Sequence, residues 1–133
     1  MKIRIYYEDT DTGGVVYHSN YLNFCERARS DVFFNQKISP VLSNGHFVAK
    51  NLEANYMASA KLGDELEVTS ELVEIKAASF KLLQNIYKGD KKIFELNINL
   101  VYVNFNAKPQ KITQDVKELI MKLFSSGAIT NKS

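Results

Sequence analysis

The 133-residue chain contains a single cysteine, and no stretch of it approaches 18 uncharged apolar residues. One cysteine excludes an internal disulfide and a cysteine-rich metal cluster. Without a long apolar run, we expect no membrane-spanning helix. The N-terminal sequence MKIRIYYED is too charged for a secretion signal. These absences predict a cytoplasmic protein.

The chain also lacks an excess of one charge. It has 17 Lys and Arg against 15 Asp and Glu, for a net charge of +2, and the basic residues are scattered among the acidic ones. Nucleic-acid binding usually requires a basic patch or stripe, so we expect no nucleic-acid partner. No Pro-, Gly- or Ser-rich linker divides the sequence, and 45% of its residues are hydrophobic. Residues 1–133 are therefore predicted to form one domain with its own core.

The hydrophobic periodicity predicts an α+β fold. Apolar residues alternate over residues 2–7, and then recur at helical spacing from about Ser19 to before Pro40. After residue 45 the period returns to two, over four further segments separated by turn signals such as Gly63-Asp64 and Gly89-Asp90. A second helix is predicted over 113–125, with an apolar stripe along one side. Consecutive strands joined by short turns form an antiparallel sheet, which the long first helix must cover.

The segment Asp9-Thr10-Asp11-Thr12-Gly13-Gly14, between the first strand and the first helix, is the candidate site. Such residues are common in ordinary turns, because short polar side chains bond to nearby backbone and glycine accepts positive φ. The spacing also resembles the start of a calcium loop. That loop needs Asp or Asn where Gly13 stands and a bidentate Glu where Asn20 stands, so calcium binding is excluded.

A catalytic interpretation uses the residues that follow. Gly13 and Gly14 allow the backbone to bend tightly or to lie against a ligand. The chain then enters a helix whose first amides have no intrahelical acceptor, and such amides stabilise an oxygen that gains negative charge. Asp11, just upstream, is a carboxylate suited to attack on an activated carbonyl. His18 could contribute its ring or its backbone amide, and the amide is favoured because it lies at the helix start whatever the ring does.

These residues resemble a known family. The run DTDTGGVVYHSNY, Asp9 to Tyr21, followed by Phe24, Glu26 and Ala28-Arg29, closely resembles the hotdog-fold acyl-CoA thioesterases of the YbgC and 4-hydroxybenzoyl-CoA type. The segment Tyr56–Asp64 is similar to the family pattern Y-x-x-P-A-x-x-G-D, with Ser59 in place of the usual proline. The resemblance implies a curved antiparallel sheet of about five strands wrapped around one long helix.

The resemblance also implies roles for individual residues. Asp11 would be the catalytic carboxylate, acting as nucleophile or as general base on water. The His18 amide would polarise the thioester carbonyl, with the Tyr17 amide as a second donor. Asp9 would hold the loop, and Tyr7 would orient Asp11. The remaining candidates are the contacts with the acyl group or the coenzyme arm: Gly13, Gly14, Val15, Val16, Ser59 and Lys61.

The implied reaction is hydrolysis of an acyl-CoA thioester, with coenzyme A or acyl carrier protein as the thiol carrier and with no cofactor or metal. A homodimer or homotetramer is expected, with each active site between subunits. The family's link to the Tol-Pal envelope system adds possible association with the inner membrane or with envelope proteins.

Two other functions are consistent with the residues. A hotdog dehydratase would use the His18 ring to move a proton, and a non-catalytic acyl-thioester-binding or scaffold protein would use the C-terminal helix for docking. Asp11 disfavours the binding or scaffold function, because a protein that only binds has no use for a carboxylate aimed at a carbonyl. Cys25 is interpreted as core packing and Glu26 as a partner of Arg29 or of backbone groups, while His46 belongs to no motif.

Overall fold

The structure is a computed structural model that describes residues 1–125. The chain forms β1 (Lys2–Arg4), a 3₁₀ turn (Tyr7–Asp9), α1 (Asn20–Phe34), β2 (His46–Tyr56), β3 (Glu65–Ile75), β4 (Ser79–Lys88), β5 (Lys91–Val103), α2 (Gln114–Ile120) and a π-helical turn (Met121–Ser125). None of the helices within the described range is long and apolar enough to cross a membrane.

The five strands form one antiparallel sheet in the order β1-β3-β4-β5-β2. The turns before β3 and between β4 and β5 contain Gly63 and Gly89, with φ of +87° and +60°, a backbone conformation that glycine adopts without strain. The chain crosses from α1 into β2 at one edge of the sheet and returns to the centre through β3 and β4. The predicted α+β class and strand count are confirmed.

The core lies between α1 and the inner face of the sheet. On α1 the buried residues recur at helical spacing: Tyr21, Phe24, Cys25, Ala28 and Phe33. On the central strands β4 and β5 they alternate, apart from the adjacent buried pairs Ile93-Phe94 and Tyr102-Val103 on β5. The large, fully buried side chains on these strands are Phe80, Leu82, Ile86, Ile93, Phe94, Leu96 and Ile98. The apolar residues at helical spacing and those that alternate along the strands therefore pack in one core.

The C-terminal elements cover the end of this core. Thr113 precedes α2, and its side chain accepts a hydrogen bond from the Val116 amide, which caps the helix. Ile120 and Phe124 are buried, and the Phe124 ring contacts Phe33 and Phe80 at centroid distances of 5.9 Å. The sequence predicted one helix over 113–125, whereas the structure divides this stretch into α2 and the π-helical turn. Because its apolar stripe packs on its own domain, α2 is not a free docking surface.

The first strand is shorter than predicted. It ends at Arg4, although Ile5 still bonds to the backbone of Asp64 and Gly63. The chain then turns into the 3₁₀ segment, where the Tyr6 amide donates to the Asp9 carboxylate at 3.0 Å. The alternation over residues 2–7 places Tyr7 on the same face as Ile3 and Ile5, and this is wrong: Ile3 and Ile5 are buried, whereas Tyr7 is 81% exposed.

The alternation after residue 45 puts Val48, Leu52 and Tyr56 on one face of β2, and this is wrong for Val48. Because the register shifts between Ala49 and Asn51, Val48 lies opposite Val101, whereas Leu52 and Tyr56 lie opposite Ile98 and Phe94 on the other face. The three side chains are 39%, 45% and 48% exposed. Since β2 is an edge strand that pairs only with β5, its outer edge lies beyond the cover that α1 gives to the central strands.

Candidate active site

The Asp11 loop is a tight turn closed by its own backbone. The Asp11 amide donates to the Val15 carbonyl at 2.9 Å, and the Gly14 amide donates back to the Asp11 carbonyl at 3.1 Å. Gly14 has φ +82°, where a side chain would be strained. The chain therefore reverses within four residues and leaves the Asp11 side chain at the tip.

The Asp11 carboxylate is exposed, and one of its two oxygens is fixed by a hydrogen bond. Its Oδ1 accepts a hydrogen bond from the Gly13 amide at 2.8 Å. Within residues 1–125, no donor approaches Oδ2 within hydrogen-bond distance. One oxygen thus fixes the orientation of the carboxylate, while the other remains available to a water molecule or to a substrate carbon.

Asp9 braces the loop against the helix, as predicted. Its carboxylate accepts from the Tyr6 amide, while its carbonyl accepts from the Tyr17 amide at 3.0 Å and from the Asn20 side-chain amide at 2.9 Å. The Tyr17 amide is therefore already occupied. In this structure it is not available as the second donor that the sequence suggested.

A second segment, residues 58–61, lies against the loop. The Val16 amide donates to the Ala60 carbonyl at 2.8 Å, and Val15 pairs with Lys61 in an isolated antiparallel bridge. The Ala60 amide in turn donates to the Tyr21 hydroxyl at 3.0 Å, inside the core. The structure thus brings the two sequence motifs together, although they are more than 40 residues apart in the chain.

Asp64 fixes the far end of this second segment. Its carboxylate accepts from the Lys61 amide at 2.9 Å and forms an ion pair with Lys88 at 3.0 Å. Partial desolvation raises the pKa of Asp64. The hydrogen bond from the Lys61 amide and the charge of the Lys88 ammonium outweigh this effect and hold the pKa below its ordinary value. The segment is therefore anchored to both β4 and the core.

The start of α1 presents an unoccupied donor. Within the described part of the chain, the His18 amide has no hydrogen-bond acceptor, whereas the Asn20 amide donates to the Tyr17 carbonyl at 2.9 Å. The His18 ring is exposed and lies beside the Tyr17 ring, with a centroid distance of 4.5 Å. Because α1 runs for 15 residues, its dipole adds a partial positive charge at this end.

The other candidate contacts differ in exposure. Val15 is 36% exposed, and Ser59 and Lys61 are exposed, so their side chains face outward near the loop. Val16 is 4% exposed and belongs to the core. Tyr7 reaches the loop through its carbonyl, which accepts from the amide and hydroxyl of Thr10 at 3.1 and 2.9 Å, so the predicted orientation of Asp11 by its ring has no support here.

Two residues that support the site were not assigned this role from the sequence. Tyr21 anchors Ala60, and Asn20 anchors Asp9 through their side chains. The sequence places both at the start of α1, where the helical spacing and the ordinary preference for a polar N-cap account for them without a role in the site. Only the fold shows that their polar atoms reach the two loops.

Cys25 is not a nucleophile in this environment. The side chain is fully buried, and desolvation raises the pKa of its thiol to about 12, against the smaller opposing effect of Arg29. Its carbonyl accepts from Gln84, which is fully buried and also bonds to Ser70 and Arg29. This cluster is a satisfied polar group inside the core, and the interpretation of Cys25 as packing is confirmed.

The model of the family described as "Thioesterase superfamily" matches residues 13–95, which run from the end of the Asp11 loop through α1, β2, β3 and β4 to the start of β5. The chain belongs to this superfamily. It is 38% identical over 130 residues to the acyl-CoA thioesterase YbgC of Helicobacter pylori strain 26695, and the match covers 90% of this chain and 98% of that one.

Solved structures agree with this membership. A probable thioesterase from Bartonella henselae superposes with a TM-score of 0.80 at 27% identity, covering 85% of this chain and 97% of the other. A thioesterase from Thermus thermophilus, complexed with coenzyme A and Zn, gives 0.77 at 25% identity, covering 89% and 93%. The hotdog fold expected from the sequence is thereby confirmed. Among residues 1–125, no three His, Cys, Asp or Glu side chains are grouped so as to hold a metal ion.

Proposed function

We propose that this protein is an acyl-CoA thioesterase that uses Asp11 as its catalytic carboxylate and the His18 amide as an oxyanion donor. The observation that carries the proposal is the Asp11 loop itself. One carboxylate oxygen is fixed by the Gly13 amide, and the loop is braced to the helix start. Among residues 1–125, the other oxygen has no donor and the His18 amide has no acceptor.

The reaction converts an acyl-CoA and water into a carboxylic acid and coenzyme A. The thioester carbonyl accepts a hydrogen bond from the His18 amide, which stabilises the negative charge of the tetrahedral intermediate. Asp11 either attacks the carbonyl carbon, giving an anhydride that water then cleaves, or takes a proton from the attacking water. In both routes the C–S bond breaks and the thiolate leaves with its electron pair.

The name of the Thermus thermophilus neighbour, which was solved with coenzyme A, supports coenzyme A as the carrier. A homodimer or homotetramer also belongs to this proposal, supported by the long β2 edge with its exposed apolar residues. A cytoplasmic location, with peripheral association at the inner membrane or with envelope proteins, stays a prediction from the sequence.

Replacing Asp11 tests the proposal. We expect Asp11→Asn to lower kcat by at least about 100-fold, the range for loss of a general base, with the melting temperature unchanged because Asn keeps the shape of the side chain. Thiol release from short, long and aromatic acyl-CoAs is the measurement. Asp90→Asn is the matched control, since Asp90 is exposed in the β4–β5 turn.

A near-normal rate in Asp11→Asn would refute the assignment of this residue. Absence of thiol release from the wild-type protein with every acyl-CoA would refute the function itself. Analysis of the acid-quenched protein, freed of acyl-CoA, separates the two routes, because only nucleophilic attack by Asp11 leaves the acyl group covalently bound to the protein as an anhydride.

A further inference from the structure

Two successive peptide groups at the start of α1 have fixed orientations. One joins Tyr17 to His18 and carries the His18 amide, and the other joins His18 to Ser19 and carries the Ser19 amide. The Tyr56 hydroxyl donates to the His18 carbonyl at 2.9 Å. This carbonyl belongs to the same planar, trans peptide unit as the Ser19 amide, so the two groups point in opposite directions. Fixing the carbonyl therefore fixes the direction of the Ser19 N–H.

The backbone around Ser19 aligns its amide with that of His18. The Asn20 amide donates to the Tyr17 carbonyl at 2.9 Å, and Ser19 has φ −72° and ψ −18°. His18 is not among the residues with positive φ, so residues 17–20 form a type I turn with both central residues in the αR region. Successive αR residues direct their amides to the same side, as in the first turn of a helix.

Neither amide is used elsewhere in the described chain. Within residues 1–125, the Ser19 N–H, like that of His18, has no acceptor, and the Ser19 side chain does not cap the helix. The Tyr17 amide, by contrast, is bound to Asp9. The free pair at this helix start is thus His18 and Ser19.

We propose that Tyr56 is a positioning residue that orients the Ser19 amide as a second oxyanion donor beside the His18 amide. The inference rests on the proposed thioesterase function and extends it to a residue at the end of β2. Tyr56 would not touch the reacting atoms. It acts through the peptide unit between His18 and Ser19.

The Tyr56 ring is itself held in place by its neighbours. It packs edge-on against Phe94 and Tyr21, at centroid distances of 4.9 and 5.7 Å, and Tyr21 stacks on Phe94 at 5.4 Å. Desolvation, with smaller contributions from Tyr21 and Cys25, raises the pKa of Tyr56. The hydroxyl therefore remains a proton donor throughout the neutral range.

The test is Tyr56→Phe, which removes only the hydroxyl and keeps the ring packing. Loss of one oxyanion donor lowers kcat by about 100- to 1,000-fold. Because this variant leaves the Ser19 amide in place but no longer held, we expect a smaller fall of about 10-fold in kcat. KM and the melting temperature should be unchanged, since the hydroxyl is exposed and bonds only to backbone. Tyr102→Phe is the matched control, because Tyr102 lies on β5, near the opposite end of its pairing with β2.

Inhibitor binding distinguishes positioning from a structural role. A trifluoromethyl ketone analogue of the acyl-CoA forms a tetrahedral oxyanion in the site, whereas a thioether analogue resembles the ground state. We expect Tyr56→Phe to weaken binding of the ketone by the same factor as kcat, with binding of the thioether unchanged. Equal weakening of both analogues, a rise in KM alone, or an unchanged kcat would overturn the inference. If the wild-type protein is active and Asp11→Asn is inactive, any of these three outcomes refutes the role of Tyr56 and leaves the proposed thioesterase function unaffected.

Discussion

At several residues of this site, the backbone amide or carbonyl is the functional group rather than the side chain. His18 offers its amide at the helix start, while its ring is exposed and its carbonyl is bound by Tyr56. The donor atom of the proposed oxyanion site is thus independent of the side chain attached to it.

His18→Ala tests this independence. Because the backbone amide survives the substitution, we expect kcat to stay within about tenfold of wild type, well above the loss expected for Asp11→Asn. Thiol release from the preferred acyl-CoA, measured for the two variants side by side, is the check. If His18→Ala is as inactive as Asp11→Asn, the imidazole has a direct chemical role, and a proton-transfer reaction of the dehydratase type becomes the better explanation.

Single residues also mark the limit of prediction from the sequence. Asp9 and Asp11 could be separated into a structural and a catalytic candidate because the motif is long and specific. The use of the Tyr17 amide by the Asp9 carbonyl could not be predicted, since it depends on how the loop folds back onto the helix start. The hydrogen bond from the Tyr6 amide to the Asp9 carboxylate, at the start of the 3₁₀ turn after β1, also depends on this local fold.

At the scale of elements, the segment before β3 connects the site to the sheet. Residues 58–61 bond to the Asp11 loop on one side, and Asp64 ties them to Lys88 of β4 on the other. The alternating pattern of β3 and β4 was readable from the sequence. The bulges at Val73 and Lys50, which shift the register of β3 and β2, were not, because they depend on pairing with distant strands.

The Asp64 anchor makes a prediction about acid stability. Since its pKa is lowered in the folded protein, ionised Asp64 stabilises the fold above the ordinary carboxyl pKa, and this stabilisation is lost as the pH falls through the folded value. We expect Asp64→Asn to be less stable by about 1 kcal/mol at pH 7, the net value of a hydrogen bond. The gap in melting temperature between the variant and wild type should narrow from pH 5 to pH 3.

Thermal melts of both proteins across that range provide the measurement, and Asp90→Asn serves as a control for general loss of an acidic residue. A gap that is constant with pH would mean that the Asp64 carboxylate does not stabilise the fold through its charge.

At the scale of the whole molecule, the two edges of the sheet differ. β1 is a three-residue edge strand, while β2 offers an 11-residue edge with apolar side chains half-exposed beside it. Long exposed edges favour pairing with another chain, and proteins usually cover or break them. The expected homodimer or homotetramer would cover this one.

Leu52→Lys tests assembly through β2. We expect the charged side chain at the middle of this edge to lower the apparent mass in light scattering toward that of a 15.1 kDa monomer, because a buried lysine without a partner is costly. Val73→Lys is the control, since Val73 is 50% exposed on β3, away from this edge. If both variants keep the wild-type mass, assembly does not use β2.

The buried thiol of Cys25 has a practical consequence for measuring this protein. The substrate proposed here releases a thiol, and reagents that detect thiols react with the thiolate form. The Cys25 side chain is fully buried, and the pKa of its thiol is raised to about 12. The protein's own thiol therefore does not react with such reagents while the fold is intact. Continuous thiol detection therefore reports only the coenzyme that is released. The appearance of one extra equivalent per chain would signal that the enzyme has unfolded during the assay.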